Sequence, residues 1–225
     1  LHRIKGLAER FVYFNDDIFL TSYVKPEYFF ENSKPCDTVA LDCIFFGKDS
    51  AGHYNGSNLT VINSHFNKTE CLKENIGIWF NPKNGLRNVL KTLLLLPWKW
   101  FSGFYYQHAA NSFLKSNFEE VWKAEPEILD NTCSHKFRKS DDVNQWVIKF
   151  WQMAKGEVSV RSPKSARCYH IKESNFSRLL EDISSGKYKM LCINDTAKTV
   201  DFEDKKQKVK EAINKILPEK SSFEI

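Results

Sequence analysis

At 225 residues, with 42% hydrophobic and 14% aromatic content, the chain is long enough to bury a real core, and a disordered or collagen-like protein is excluded. Its net charge of +5 suits anionic substrates or an anionic membrane face, and it lies far below that of a dedicated nucleic-acid binder, so no nucleic-acid partner is expected. The cysteines (Cys36, Cys43, Cys71, Cys133, Cys168, Cys192) show no CxxC spacing, which argues against zinc modules and for free thiols in a reducing cytoplasm.

In chain order, Phe11 to Phe14 reads as a buried strand, and Asp16-Asp17 precede a second extended piece, Ile18 to Leu20. Thr38 to Phe46 reads as extended. Lys48 to Ser57, rich in Gly, Asn, Ser and Asp, reads as an exposed loop. A helix is expected from Leu86 to Leu96, closed by Pro97. The apolar run Val89 to Phe104 is broken by Lys91, Pro97 and Lys99, too charged to span a bilayer, and its expected place is the core. Trp98, Lys99 and Trp100 are nonetheless interfacial residue types, which leaves a peripheral contact with the inner membrane face open.

Asn111 reads as the N-cap of a helix carrying Leu114, Phe118, Val121 and Trp122 on one face. Another helix is expected from Ser140, with Asp141 and Asp142 in its first turn, to a stop at Gly156. Short extended pieces follow at 157–160 and 168–171, then a helix from Asn175 to Ile183. A strand from Lys189 to Ile193 and an amphipathic helix from Phe202 to Leu217 complete the chain. This order implies a single domain of layered α/β or α+β type. The start at Leu1, without methionine or signal peptide, reads as that of a fragment. Sequons at Asn55, Asn58, Asn67, Asn175 and Asn194 read as chance, because a glycan at Asn194 would obstruct a candidate site.

Two acidic cassettes carry the chemistry: Asn15-Asp16-Asp17, and Asn194-Asp195-Thr196 after Met190-Leu191-Cys192-Ile193. Carboxylates at strand ends are hard oxygen ligands for a divalent cation, although the same residues also serve as turn or helix caps. His108 offers an imidazole for proton abstraction or phosphate contact, and Arg138 a planar fork for two phosphate oxygens. Each is also a common surface or packing residue.

Three ordered blocks carry a family resemblance. The first runs from Leu1-His2-Arg3-Ile4-Lys5-Gly6-Leu7 to Phe11-Val12-Tyr13-Phe14-Asn15-Asp16-Asp17. The second holds Gln107-His108-Ala109-Ala110, the stretch to Trp122, and Phe137-Arg138. The third joins Leu191-Cys192-Ile193-Asn194-Asp195 to Leu217-Pro218-Glu219-Lys220-Ser221-Ser222-Phe223-Glu224. They resemble conserved regions two, three and four of the Stealth proteins, a family of bacterial capsular and exopolysaccharide hexose-1-phosphate transferases and the alpha/beta subunits of lysosomal GlcNAc-1-phosphotransferase. Leu1 falls where the second region starts, so the first-strand region is missing from the match.

The resemblance implies a nucleotide-sugar transferase-like fold (GT-A/Rossmann-like) with helical additions, in a bacterial cytoplasm and peripheral to the membrane. It implies transfer of a sugar 1-phosphate from a nucleotide-diphosphate sugar, such as a UDP-N-acetylhexosamine, to a glycan hydroxyl, with release of the nucleoside monophosphate. Under it Asp16, Asp17, His108, Arg138 and Asp195 are catalytic, and Asn15, Arg138 and Asn194 bind substrate. Asp17 and Asp195 would ligate Mg²⁺ or Mn²⁺. The alternatives are a metal-dependent glycosyltransferase and a non-catalytic glycan- or partner-binding module.

Overall fold

The computed structural model describes residues 1–45, 47, 52–195 and 200–220. In chain order the elements are β1 (Arg10–Tyr13), β2 (Ile18–Leu20), β3 (Phe30–Glu31), β4 (Lys34–Asp37), α1 (Gly52–His65), α2 (Lys68–Glu74), α3 (Ile76–Trp79) and α4 (Leu86–Leu94). There follow β5 (Asn111–Leu114), α5 (Lys115–Ala124), α6 (Pro126–Ser134), α7 (Trp146–Lys155), β6 (Ser159–Val160), β7 (Ala166–His170), α8 (Glu173–Ser184), β8 (Met190–Asn194) and α9 (Phe202–Ile216). The architecture is mixed α/β with small sheets, divided into two compact units.

The first unit comprises residues 1–13, 26–106 and 111–162. It holds an antiparallel β1–β5 pair and a β3–β4–β6 sheet. Its centre is α7, whose Val147, Ile148, Phe150, Trp151, Met153 and Ala154 are all buried. Burial on every side also draws in Lys149, whose ammonium reaches Asp37 at 2.7 Å and Asn111 Oδ1 at 3.1 Å. The helix stops at Gly156, which takes the left-handed conformation (φ 71°) and leaves no room for a Cβ against Asn75.

Several expectations are corrected in this unit. The first strand is half-buried rather than buried. The strand proper sits earlier, at Lys34–Asp37, but the chain beyond it stays paired: Leu41 bridges to Phe104, Tyr105 N donates to Ala40 O at 2.8 Å, Asp42 N to Gly103 O at 3.0 Å and Ile44 N to Ser102 O at 3.1 Å, while Phe46 lies outside the described residues. Much of the expected 48–57 loop is helix α1, with residues 48–51 outside the description. Its Asn58 turns inward, donating to Asn144 Oδ1 at 2.9 Å while its own Oδ1 accepts from Asn144 N at 3.1 Å.

Asn111 is not a helix cap: it pairs with Tyr13 in β5, and the helix begins at Lys115. Likewise the 140–156 helix begins only at Trp146, because Asp142 spends its carboxylate on Lys139 N and His135 instead of on a first turn. Of the run Val89 to Phe104, the end fills the core through the buried Phe101 and Phe104, but the rest does not. Leu90, Leu93, Leu94, Leu96, Trp98 and Trp100 are exposed.

The second unit comprises residues 14–25, 107–110 and 163–225. Its sheet has the order β2–β8–β7, with β2 antiparallel and β7 parallel to the central β8. Met190, Leu191 and Cys192 are buried, as the apolar run requires. The amphipathic α8 and α9 cover the sheet through Phe176, Leu179, Ile183 and Ala212. Beneath α8, the Tyr169 hydroxyl donates to the buried Asp182 carboxylate, which Lys187 also approaches at 3.5 Å.

Candidate functional site

Strand register brings the two acidic cassettes together. Ile18 is paired with Cys192, and the next main-chain bond, Ile193 N to Asp17 O at 2.8 Å, places Asp17 beside the last residues of β8. The turn before it is closed by Ile18 N donating to Asn15 O at 3.3 Å. Asn194 O accepts from Ile171 N at 3.0 Å, so the end of β8 is held from both sides. Asn15, Asp16, Asp17, Asn194 and Asp195 thus share one end of one sheet, while Thr196 lies outside the described residues.

The carboxylates differ in setting. Asp16 is exposed. Asp17 is half-buried: Oδ2 accepts from the Cys192 thiol at 3.2 Å, and Oδ1 is buried with no hydrogen-bond partner. Contact with Cys168 at 3.4 Å, burial and the bond to Asp17 all push the Cys192 thiol up, so it stays protonated and remains a donor. Composition gave no hint of this thiol pair, because it arises from in-register pairing of Cys168 with Cys192.

Asp195 is exposed and opens on a cleft of about 350 Å³. Phe19, Ile171 and Ile193 form its sheet side, and Phe202, Val209 and Ile213 of α9 its helical side, with Lys206 and Lys210 also lining it. Asp17 therefore turns toward the Cys192 face of the sheet, and Asp195 toward the opposite, Ile193 face of the same strand end. An apolar cleft with lysines and a carboxylate can hold a flat or hydrocarbon group next to an anionic one.

His108 is half-buried in the same unit. The preceding Gln107 donates to Pro163 O at 3.1 Å and Ala166 O at 2.6 Å, at the opening of β7, the opposite end of the strands from the acids. Arg138 belongs to the first unit, exposed, with its guanidinium 5.8 Å from the Tyr54 ring. Its loop is organised by a residue that sequence reading assigned to a helix. Asp142 accepts from His135 Nδ1 at 2.7 Å and Lys139 N at 2.8 Å; burial works to raise its pKa, but these bonds hold the carboxyl below the ordinary range.

Among the described residues, no group of three or more His, Cys, Asp or Glu side chains converges to hold a metal. A divalent cation is still compatible with the donors present, since Mg²⁺ is commonly held by one or two carboxylates, with waters and substrate phosphates completing its shell. The unpartnered Oδ1 of Asp17 is the atom that fits such a role.

The structure defines a mixed α/β protein with a strand-end acid cluster beside a largely apolar cleft that lysines also line. No family model matches the chain. Over its full length it is 38% identical to the receptor polysaccharide phosphotransferase WefC of Streptococcus gordonii and 36% identical to the capsular polysaccharide phosphotransferase WcwK of Streptococcus pneumoniae, covering 67% of each. It is 35% identical to the exopolysaccharide phosphotransferase cps2G of Lactiplantibacillus plantarum, with 98% of the chain aligned to 65% of that protein. The chain spans about two thirds of the length of these relatives. It belongs to the family of capsular and exopolysaccharide phosphotransferases, and is an enzyme of that class.

Proposed function

We propose that the chain transfers a sugar 1-phosphate from a nucleotide-diphosphate sugar, a UDP-N-acetylhexosamine, to a glycan hydroxyl, as a Stealth-type enzyme with a GT-A/Rossmann-like fold. The observation that carries this reading is the register that sets Asp17 and Asp195 at one end of β8, in a chain similar throughout to named phosphotransferases. The acceptor oxygen attacks the sugar-linked phosphorus in line, the bond to the bridging oxygen breaks, and the nucleoside monophosphate leaves. No covalent enzyme intermediate forms.

Asp17 and Asp195 would hold Mg²⁺ or Mn²⁺, which would neutralise diphosphate charge. Asp16, the solvent-facing acid, takes the proton of the attacking hydroxyl. Asn15 and Asn194 orient the sugar phosphate, and Arg138 clamps the diphosphate. The enzyme works in the cytoplasm at the inner face of the membrane.

The test incubates the full-length protein with a panel of nucleotide sugars, a glycan acceptor and Mg²⁺, and identifies the nucleotide released. Nucleoside monophosphate is the expected product. Nucleoside diphosphate would make the enzyme a glycosyltransferase, and cation-independent glycan binding without turnover would make it a binding module.

A further inference from the structure

The helix α4 is amphipathic the wrong way round for a core element. Its buried residues are Asn88 and Thr92, and its leucines face outward. The inward polar groups are all used. Leu41 N donates to Thr92 Oγ1 at 3.0 Å, Thr92 Oγ1 donates to Asn88 O at 3.0 Å, and Asn88 Nδ2 donates to Asn84 O at 2.9 Å. At the C-terminal end the buried Lys68 ammonium donates to the carbonyls of Leu95, at 2.7 Å, Leu96 and Trp98. Rotating the helix to bury its leucines would break the bonds that tie it to other segments, from Leu41 N and from Lys68, so the outward face is built into the fold.

That face carries Leu86, Leu90, Leu93 and Leu94 at helical spacing, with Leu86 75% and Leu94 73% exposed. Just past the helix Trp98 and Trp100 are 58% and 55% exposed, and Lys99 lies 5.1 Å from the Trp100 ring. Charge is of one sign. From Asn75 to Tyr106 the sequence holds Lys83, Arg87, Lys91 and Lys99 and no Asp or Glu. Among the described residues Lys91 alone of these has an acidic partner, Asp42 at 2.6 Å, while Lys83, Arg87 and Lys99 are exposed.

We propose that this face, α4 with Trp98 and Trp100, lies on an anionic lipid bilayer, its leucines among the upper acyl chains and its cations at the headgroups. The inference gives the membrane placement proposed above a physical basis and does not depend on the transfer chemistry. Tryptophan beside lysine is the residue pair that settles at a bilayer interface. A rim with Lys83, Arg87 and Lys99 beyond the Lys91–Asp42 pair matches anionic headgroups, whereas a two-fold contact with a second copy would set these cations against their equivalents. Among the described residues no helix is long and apolar enough to cross a membrane, so the contact lies in the interface plane.

The experiment is flotation of the full-length protein with vesicles of phosphatidylcholine alone and of equimolar phosphatidylcholine and phosphatidylglycerol, without donor or acceptor. Binding to the anionic vesicles is expected. It should fall at least about tenfold in Leu90→Ser/Leu94→Ser, and on neutral vesicles or in Arg87→Gln/Lys99→Gln. Unchanged thermal midpoints establish that these surface variants fold. Absence of binding to anionic vesicles overturns the proposal, as does equal binding by the folded leucine variant. A solution dimer that this variant dissociates would assign the face to a second copy instead. Since the assay contains no substrate, its failure leaves the phosphotransfer reading standing, and loss of turnover leaves the vesicle result intact.

Discussion

Asp17→Ala separates catalytic from structural roles at the strand end. Oδ1 of Asp17 is buried without a partner, a condition that costs about 1–3 kcal/mol. Against that stands one bond from the Cys192 thiol at 3.2 Å, worth about 1 kcal/mol. The main-chain bond from Ile193 N to Asp17 O does not involve the side chain and survives. Alanine therefore relieves a penalty at least as large as the bond it deletes, and the variant should be between neutral and about 2 kcal/mol more stable. For a chain of this size each kcal/mol raises the thermal midpoint by about 2–4 °C. Transfer should meanwhile fall at least about 100-fold, or about 2.7 kcal/mol of barrier. Thermal unfolding and the initial rate of nucleoside monophosphate release, measured on one preparation, test both halves. Activity within about tenfold of the parent removes Asp17 from the mechanism, and a lowered midpoint refutes the argument from the unpartnered oxygen.

Asp195→Ala, at an exposed position, should lose transfer with no change in unfolding midpoint; retention of activity within about tenfold would dismiss the residue. Arg138→Lys keeps the charge and loses the planar fork, so donor affinity by calorimetry should weaken, and unchanged affinity would dismiss the clamp. Lys149→Met leaves the Asp37 carboxylate buried without its cation and should cost about 3–5 kcal/mol in urea unfolding, partly recovered when Asp37→Asn is added. Burial first, then the hydrogen bond to Asp182, pushes the Tyr169 pKa up from 10.0 to about 12. The neutral phenol is thus favoured by folding, and its contribution, roughly 2.7 kcal/mol, is complete below pH ~10 and lost as pH rises to ~12. Tyr169→Phe should flatten that part of the stability profile, and an unaltered slope would contradict the assignment.

What the sequence made legible was local. Ile18–Leu20 is a short apolar run preceded by acids and Met190–Asn194 one followed by an acid, and α8 and α9 repeat apolar residues at helical spacing, so periodicity alone places them. That Asp17 lies beside Ile193 is a matter of strand register between segments far apart in sequence, and no local pattern encodes it. The same limit hid α1. Asn55, Ser57 and Asn58 read as loop formers, but Asn58 finds its partner in Asn144, 86 residues away, and tertiary hydrogen bonding outweighs local preference.

The case of α4 goes further, because the helix was readable and its orientation was not. In the first unit, polar side chains complete the main chain where the strands leave it unpaired: Val39 N donates to Asn84 Oδ1 at 2.8 Å and Leu41 N to Thr92 Oγ1 at 3.0 Å. A segment that needs Asn84, Asn88 and Thr92 inward to satisfy Val39 and Leu41 must send its leucines outward, since the two sets lie on opposite faces of one helix. The exposure of Leu86, Leu90, Leu93 and Leu94 is therefore not a packing defect that a different rotamer could repair. It follows from how the β4 extension is held, and it leaves an apolar, cationic surface whose stability in water depends on what covers it.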